Sequence, residues 1–281
     1  MTTPHWTLAR RVADLFRTLP DVEAMALAGS QVAEEVDPSS DIDLYVYTTA
    51  QIPLRDRAAI VERLGARRSD LNLRFWDLGD EWVDAGTGIE VDVMYWDTAW
   101  IEGQLGRVLI ECQASMGYST CHWYTVRNSM VLYDRSGWLR RLKEKSAVSY
   151  PEALRRAIVA KNHPVLRRVI PSYLGQIKKA KQRNDAVSLN HRVAALLASY
   201  FDVLFALNRV LHPGEKRLLQ KAAEHCAKVP PGMVQQVEDV LRATSTADES
   251  LVARVAALLD GLDELLLEEG FDPDTSLPKV Q

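Results

Sequence analysis

The stretch "ALAGSQVAEEVDPSSDIDLYVYTT", residues 26–49, decides how the chain is read. It holds a Gly29-Ser30 pair, ten intervening residues and then Asp41-Ile42-Asp43. "DIDLYVYTT" alternates, with Ile42, Leu44 and Val46 on one side and Asp41, Asp43, Tyr45 and Tyr47 on the other, which is the period of a strand. Residues two apart on a strand project to one face, so Asp41 and Asp43 point the same way. Like charges ~4 Å apart repel by about 4 kcal/mol at an effective dielectric of roughly 20. Such a pair suits open water or a shared divalent cation, and Mg²⁺ takes oxygen ligands while keeping substrate phosphates and waters in its other positions. For a lone D-x-D an ordinary exposed strand face is the better account, so the surrounding sequence has to choose.

Upstream, "VEAMALAG" reads as a short buried strand closing on Gly29, followed by a turn into the short helical stretch "QVAEEV". A glycine there lets the backbone approach a phosphate, with amides and the Ser30 hydroxyl as donors. The plain alternative is a turn glycine followed by an N-cap serine. Downstream, "GIEVDVMYW" alternates again, with Ile89, Val91 and Val93 facing one way and Glu90 and Asp92 the other. If this strand neighbours the first, one of its acids joins Asp41 and Asp43. Asp92 is favoured because Val91 and Val93 flank it deep in the apolar run, and Glu90 is the alternate. Three acids on adjacent strands beside a Gly-Ser turn fit a two-metal phosphoryl or nucleotidyl transfer site.

The rest of the first half supplies a sheet and its helices. "WTLARRVADLFRTL" repeats Leu8, Val12, Leu15 and Phe16 near the helical period and ends at Pro20. "LRDRAAIVERLGA" reads as a helix stopped near Gly65, "DLNLRFWDL" as a strand, and "NSMVLYDRSGW" as a last strand and turn. Beyond it the rhythm is helical: "YPEALRRAIVAKNHPVLRRVIPSYLGQIKKAKQRND" punctuated by Pro164 and Pro171, then the long apolar "SLNHRVAALLASYFDVLFALNRVL". "GEKRLLQKAAEHCAKV", "MVQQVEDVLRA" and "DESLVARVAALLDGLDELLLEEG" follow, the last with Asp248 as N-cap and Gly270 as its stop. The expected fold is α+β, a mixed-sheet domain over 1–140 and a helical bundle domain over 141–281.

Composition narrows the classes of function. With 281 residues, 47% hydrophobic and 26% charged, the chain is long enough for two cores. A formal charge of −4 argues against a protein devoted to wrapping nucleic acid. The cysteines Cys112, Cys121 and Cys226 form no C-x-x-C pair, which points to a reducing, cytoplasmic setting. Cys121-His122 has no second ligand pair at zinc spacing. No signal peptide and no membrane span are expected.

The set "GSQVAEEVDPSSDIDLYVY" with the later "VDV" resembles the DNA polymerase β-like nucleotidyltransferase superfamily. The helical second half is similar in architecture to its small-molecule members, the aminoglycoside and lincosamide nucleotidyltransferases, and no motif aligns there. The resemblance implies that Gly29 and Ser30 hold the β- and γ-phosphates of an NTP, with ATP the expected donor. It implies Asp41, Asp43 and Asp92 as metal-binding catalytic residues for Mg²⁺ or Mn²⁺, with Asp92 as ligand or as general base. The acceptor hydroxyl then attacks the α-phosphorus and pyrophosphate leaves.

The acceptor expected is a small molecule, an antibiotic among the candidates, bound by the helical domain. Asp202, a lone acid in an apolar helix, would face an acceptor amine or serve as a hydrogen-bonded packing residue, and Lys216 would touch a phosphate or start a solvated helix. Tyr95, Trp96 and Trp100 would stack on a base or pack between domains. The competing readings are a toxin-like enzyme acting on tRNA or protein, and a catalytically silent nucleotide-binding regulator. The sequence leaves the oligomeric state open.

Overall fold

The computed structural model describes residues 3–28, 41–75 and 77–273, and Gly29 and Ser30 lie outside them. The chain is α+β, a six-stranded mixed sheet followed by helices. In chain order the first part comprises α1 (Pro4–Phe16), β1 (Val22–Ala28), β2 (Ile42–Thr48), α2 (Leu54–Leu64), β3 (Ala66–Leu73), β4 (Gly79–Asp84) and β5 (Glu90–Asp97). It continues with α3 (Thr98–Leu109), α4 (Cys121–Asn128), β6 (Met130–Asp134) and α5 (Trp138–Ser146). Helices α6 (Glu152–Arg167), α7 (Tyr173–Gln182), α8 (Ala186–Leu207), α9 (Leu218–His225), α10 (Met233–Ser245) and α11 (Leu251–Glu268) complete it.

The sheet order is β3-β4-β5-β2-β1-β6. Only the central β2–β5 pair is parallel; the other neighbours run antiparallel. A parallel pair needs a long crossover, and here α2, β3 and β4 occupy it. Ile42, Leu44 and Val46 of β2 and Val91 and Val93 of β5 form one core with Leu8, Val12 and Phe16 of α1 and Ile60, Val61 and Leu64 of α2. The two helices therefore cover one face of the sheet, and the residues between those apolar positions take the other. Gly65 ends α2 at φ +83°, a left-handed position that a side chain enters only with strain.

A buried charge cluster ties α2 to three strands. Arg57, 1% exposed, donates from Nη1 to Asp80 Oδ1 at 2.6 Å and from Nη2 to Asn72 Oδ1 at 3.2 Å. Tyr95 donates its hydroxyl to Asp80 Oδ2 at 2.7 Å, and its ring lies 4.9 Å under the guanidinium. Each partner satisfies the other, which a buried charge requires.

The chain divides into two compact units, one of residues 1–106 with 125–148 and the other of 107–124 with 149–281. In the second unit α8 is buried almost all round from Ser199 to Leu207 and packs against α6 and α7, while α10 packs on α11. Two local expectations change. Helix α6 runs through Pro164 to Arg167: the proline forgoes one intrahelical hydrogen bond, and packing of its ring in the interior offsets that loss. At the start of α11 the cap position belongs to Ser250, and Asp248 instead accepts from the Ser250 amide at 2.7 Å, closing the turn before the helix. Gly270, at φ +76°, does stop α11.

Candidate functional site

Parallel pairing of β2 with β5 sets Asp43 directly abreast of Asp92, between the matched pairs Ile42–Val91 and Leu44–Val93. Both carboxylates share the face that α1 and α2 leave, and both residues are half-buried. Asp41 stands two positions before Asp43, at the entry to β2, and is half-buried as well. Glu90 lies two positions from Asp92 on the same face, exposed at the end of β5 and paired with Val83. The register therefore puts Asp92, and not Glu90, level with Asp43.

The row extends on both sides. Glu81 of β4 is abreast of Asp92, and Ala28 of β1 is abreast of Asp43. Glu81, exposed, is an acid of this face that sequence reasoning missed. Its strand "GDEWVD" shows only a short alternation, broken by acids on both faces, since Asp80 and Asp84 turn inward. Asp80 serves Arg57, while Asp84 accepts from the Thr87 amide and hydroxyl at 2.8 Å.

Aromatic residues back the acids. Tyr45, next to Asp43 on that face, lies 4.3 Å between ring centres from Trp96. Trp96 in turn meets Trp100 and Tyr47, and Tyr47 meets Trp138 of α5. Trp96 donates its indole N–H to Asp77 at 3.0 Å. Burial first, then the charge of Asp43, hold the Tyr45 phenol well above its ordinary range, with Asp92 and Asp77 adding to the rise. It stays protonated and cannot serve as a base at neutral pH. Tyr95 points to the opposite face, into the Arg57 cluster.

The donor set on this face is all carboxylate oxygen, which suits a hard cation. Among the described residues no three His, Cys, Asp or Glu gather into a cage for a metal. Mg²⁺ does not need one, since it binds through one or two carboxylates and completes its shell with phosphate and water. The abreast pair Asp43 and Asp92 fits that demand.

The two remaining sequence candidates lie in the second unit. Asp202, 1% exposed on α8, accepts from the Ser119 amide at 3.0 Å, the Ser119 hydroxyl at 2.6 Å and Asn162 Nδ2 at 3.1 Å. Burial pushes its carboxyl up to about 6 against the pull of the Ser119 bonds. Its oxygens hold the 115–119 segment. Lys216 is exposed in the turn before α9. Nearby, Cys121 Sγ lies 3.6 Å from His212 Nδ1, which accepts from the Gly214 amide at 3.2 Å. Burial pushes the thiol up to about 12 and the imidazole down to about 4, so both are neutral and no thiolate forms.

A family described as "Domain of unknown function (DUF4037)" matches residues 118–218. Among curated proteins the comparison finds no match. Among solved structures, the chain is similar to a nucleotidyltransferase-like protein from Exiguobacterium sibiricum 255-15. The identity is 12% and the TM-score 0.44, over 94% of this chain and 74% of that one.

Proposed function

We propose that the chain is a Mg²⁺-dependent nucleotidyltransferase that moves a nucleoside monophosphate, AMP from ATP in the first instance, onto a hydroxyl of a small molecule. The observation behind this reading is the pair of carboxylates, Asp43 and Asp92, level on adjacent parallel strands, with Asp41 two positions before the first. Glu81 of β4, abreast of Asp92, extends the row of acids to a third strand.

In this reading Asp41 and Asp43 hold the metal that the triphosphate shares. The chemistry supplied by bound Mg²⁺ is neutralisation of the charge that develops on the transferred phosphate. Asp92 orients the acceptor hydroxyl and takes its proton, or completes a second metal position. Tyr45 stays neutral beside them and keeps an apolar wall under the acids. Gly29 and Ser30, outside the described residues, are the proposed phosphate cradle. Catalysis then consists of alignment and charge stabilisation.

The test is transfer from labelled ATP with Mg²⁺ and a panel of hydroxylated small molecules, antibiotics among them. Asp43→Asn and Asp92→Asn should each cut transfer by roughly 100-fold or more, since even partners behind a metal's ligands are worth about 10–100-fold. Circular dichroism should show the fold unchanged. Wild-type turnover in the Asp43→Asn protein would remove the site assignment. A label that travels with RNA or protein would move the acceptor to that class.

A further inference from the structure

The outer side of the α1–α2 layer carries a groove of about 500 Å³, lined by Trp6, Arg10, Arg11, Asp14, Leu15 and Arg63 among others. These helices cover the sheet face opposite to Asp43 and Asp92, so the groove is separate from the carboxylate row. Three guanidinium groups surround it in a chain whose formal charge is −4. Their commitments differ. Arg11 donates to the Leu64 carbonyl at 2.6 Å and lies 3.8 Å from Asp84, so it is partly used by the fold. Arg10 sits 5.8 Å over the Trp6 ring, and among the described residues no carboxylate pairs with Arg10 or with Arg63. The one acid of the lining, Asp14, is 3.4 Å from Arg17, a residue that does not line the groove.

Two uncommitted guanidinium groups and a third half-committed one, around a space of small-molecule size, form a site for a compact polyanion. Guanidinium matches phosphate by forked hydrogen bonding and a delocalised charge. Trp6 and Leu15 give the groove an apolar wall on which a ligand's body can rest. We propose that this groove is a second, metal-independent binding site for a small phosphate-bearing ligand, held by Arg10 and Arg63 against Trp6. A long nucleic-acid strand fits less well, because the groove gathers three guanidinium groups at one place in a chain of formal charge −4. The site acts away from the carboxylate row and takes no part in transfer.

The experiment uses the full chain in EDTA at low salt, where metal-dependent nucleotide binding on the carboxylate row is suppressed. Tripolyphosphate and ADP are titrated separately by calorimetry, and the Trp6 contribution to fluorescence is isolated with Trp6→Phe. Saturable binding is expected, weakened at least about ten-fold by Arg63→Glu or Arg10→Glu, as for loss of a hydrogen bond to a charged group. Asp43→Asn should leave it unchanged. Equal affinities would identify inorganic polyphosphate as the chemistry read, and tighter ADP binding a nucleotide. No saturable binding, or binding that ignores both arginine reversals, would overturn the proposal. So would loss through Asp43→Asn, or a short RNA bound tens-fold tighter through the same arginines. Because the readout is binding without metal, its failure leaves the transferase reading intact, and the converse holds.

Discussion

Asp202 illustrates how a single buried acid reports on the packing around it. Desolvation raises its carboxyl to about 6, while the Ser119 amide and hydroxyl pull the other way and lose. A folded-state value above the unfolded one means that the folded protein binds the proton more tightly. Stability from this group is then present in full below about pH 4 and is lost as pH rises through about 6. The difference of roughly two units corresponds to about 3 kcal/mol. Other carboxylates titrate over the same range, so the informative quantity is wild type minus Asp202→Asn. That difference, from urea denaturation at several pH values, should shift by about 3 kcal/mol against the wild type between pH 4 and 7. A flat difference would mean that water reaches the carboxylate and burial does not set its behaviour.

Among the elements, α4 shows a helix end finished by a distant side chain. Lys143 of α5 donates Nζ hydrogen bonds to the carbonyls of Val126, Arg127 and Ser129 at 2.9, 2.8 and 2.6 Å. Val126 and Arg127 belong to the last turn of α4 and Ser129 directly follows it, where carbonyls run out of helical N–H partners and a cation is also favoured by the helix dipole. Lys143→Met keeps the stem and deletes all three bonds, so it should destabilise the protein by about 1–3 kcal/mol in urea denaturation. A midpoint equal to wild type would show that water replaces the ammonium at no cost. Nothing in the sequence announces this contact, because it joins positions far apart in a run that otherwise reads as a solvated charge cluster. The same limit explains what else stayed hidden. β2 and β5 were legible because a strict two-residue alternation marks them, and the acids on their polar face could be named. Their parallel register, which separates Asp92 from Glu90, is a tertiary fact carried by α2, β3 and β4. β4 and Glu81 were missed because inward-turned Asp80 and Asp84 erase the apolar half of the alternation. Arg57 was invisible as a core residue because, beyond the Ile52 carbonyl that its Nε reaches at 3.3 Å, the partners of its guanidinium come from strands distant in sequence.

At the scale of the molecule, the two units are interleaved along the chain, residues 107–124 grouping with 149–281. The hydrogen bonds of that segment inside its own unit explain why. Asn162, fully buried on α6, accepts from the Gly117 amide at 2.8 Å and donates to the Ser115 carbonyl at 2.9 Å. The His212 amide donates to Thr120 Oγ1 at 2.7 Å, and Asp202 receives Ser119. Gly117, at φ +72°, brings the segment so close that an added Cβ would stand 3.2 Å from the Ala198 methyl. The helical unit is therefore incomplete without a strand of chain that precedes β6. A fragment of residues 149–281 leaves Asp202 and Asn162 without these partners, each buried loss being worth about 1–3 kcal/mol. A fragment of residues 107–281 retains them. Thermal melts followed by circular dichroism should place the shorter fragment's midpoint roughly 5 °C or more below the longer one's, with a broader transition. Coincident midpoints would mean that the 107–124 segment rests on the helices without supporting them.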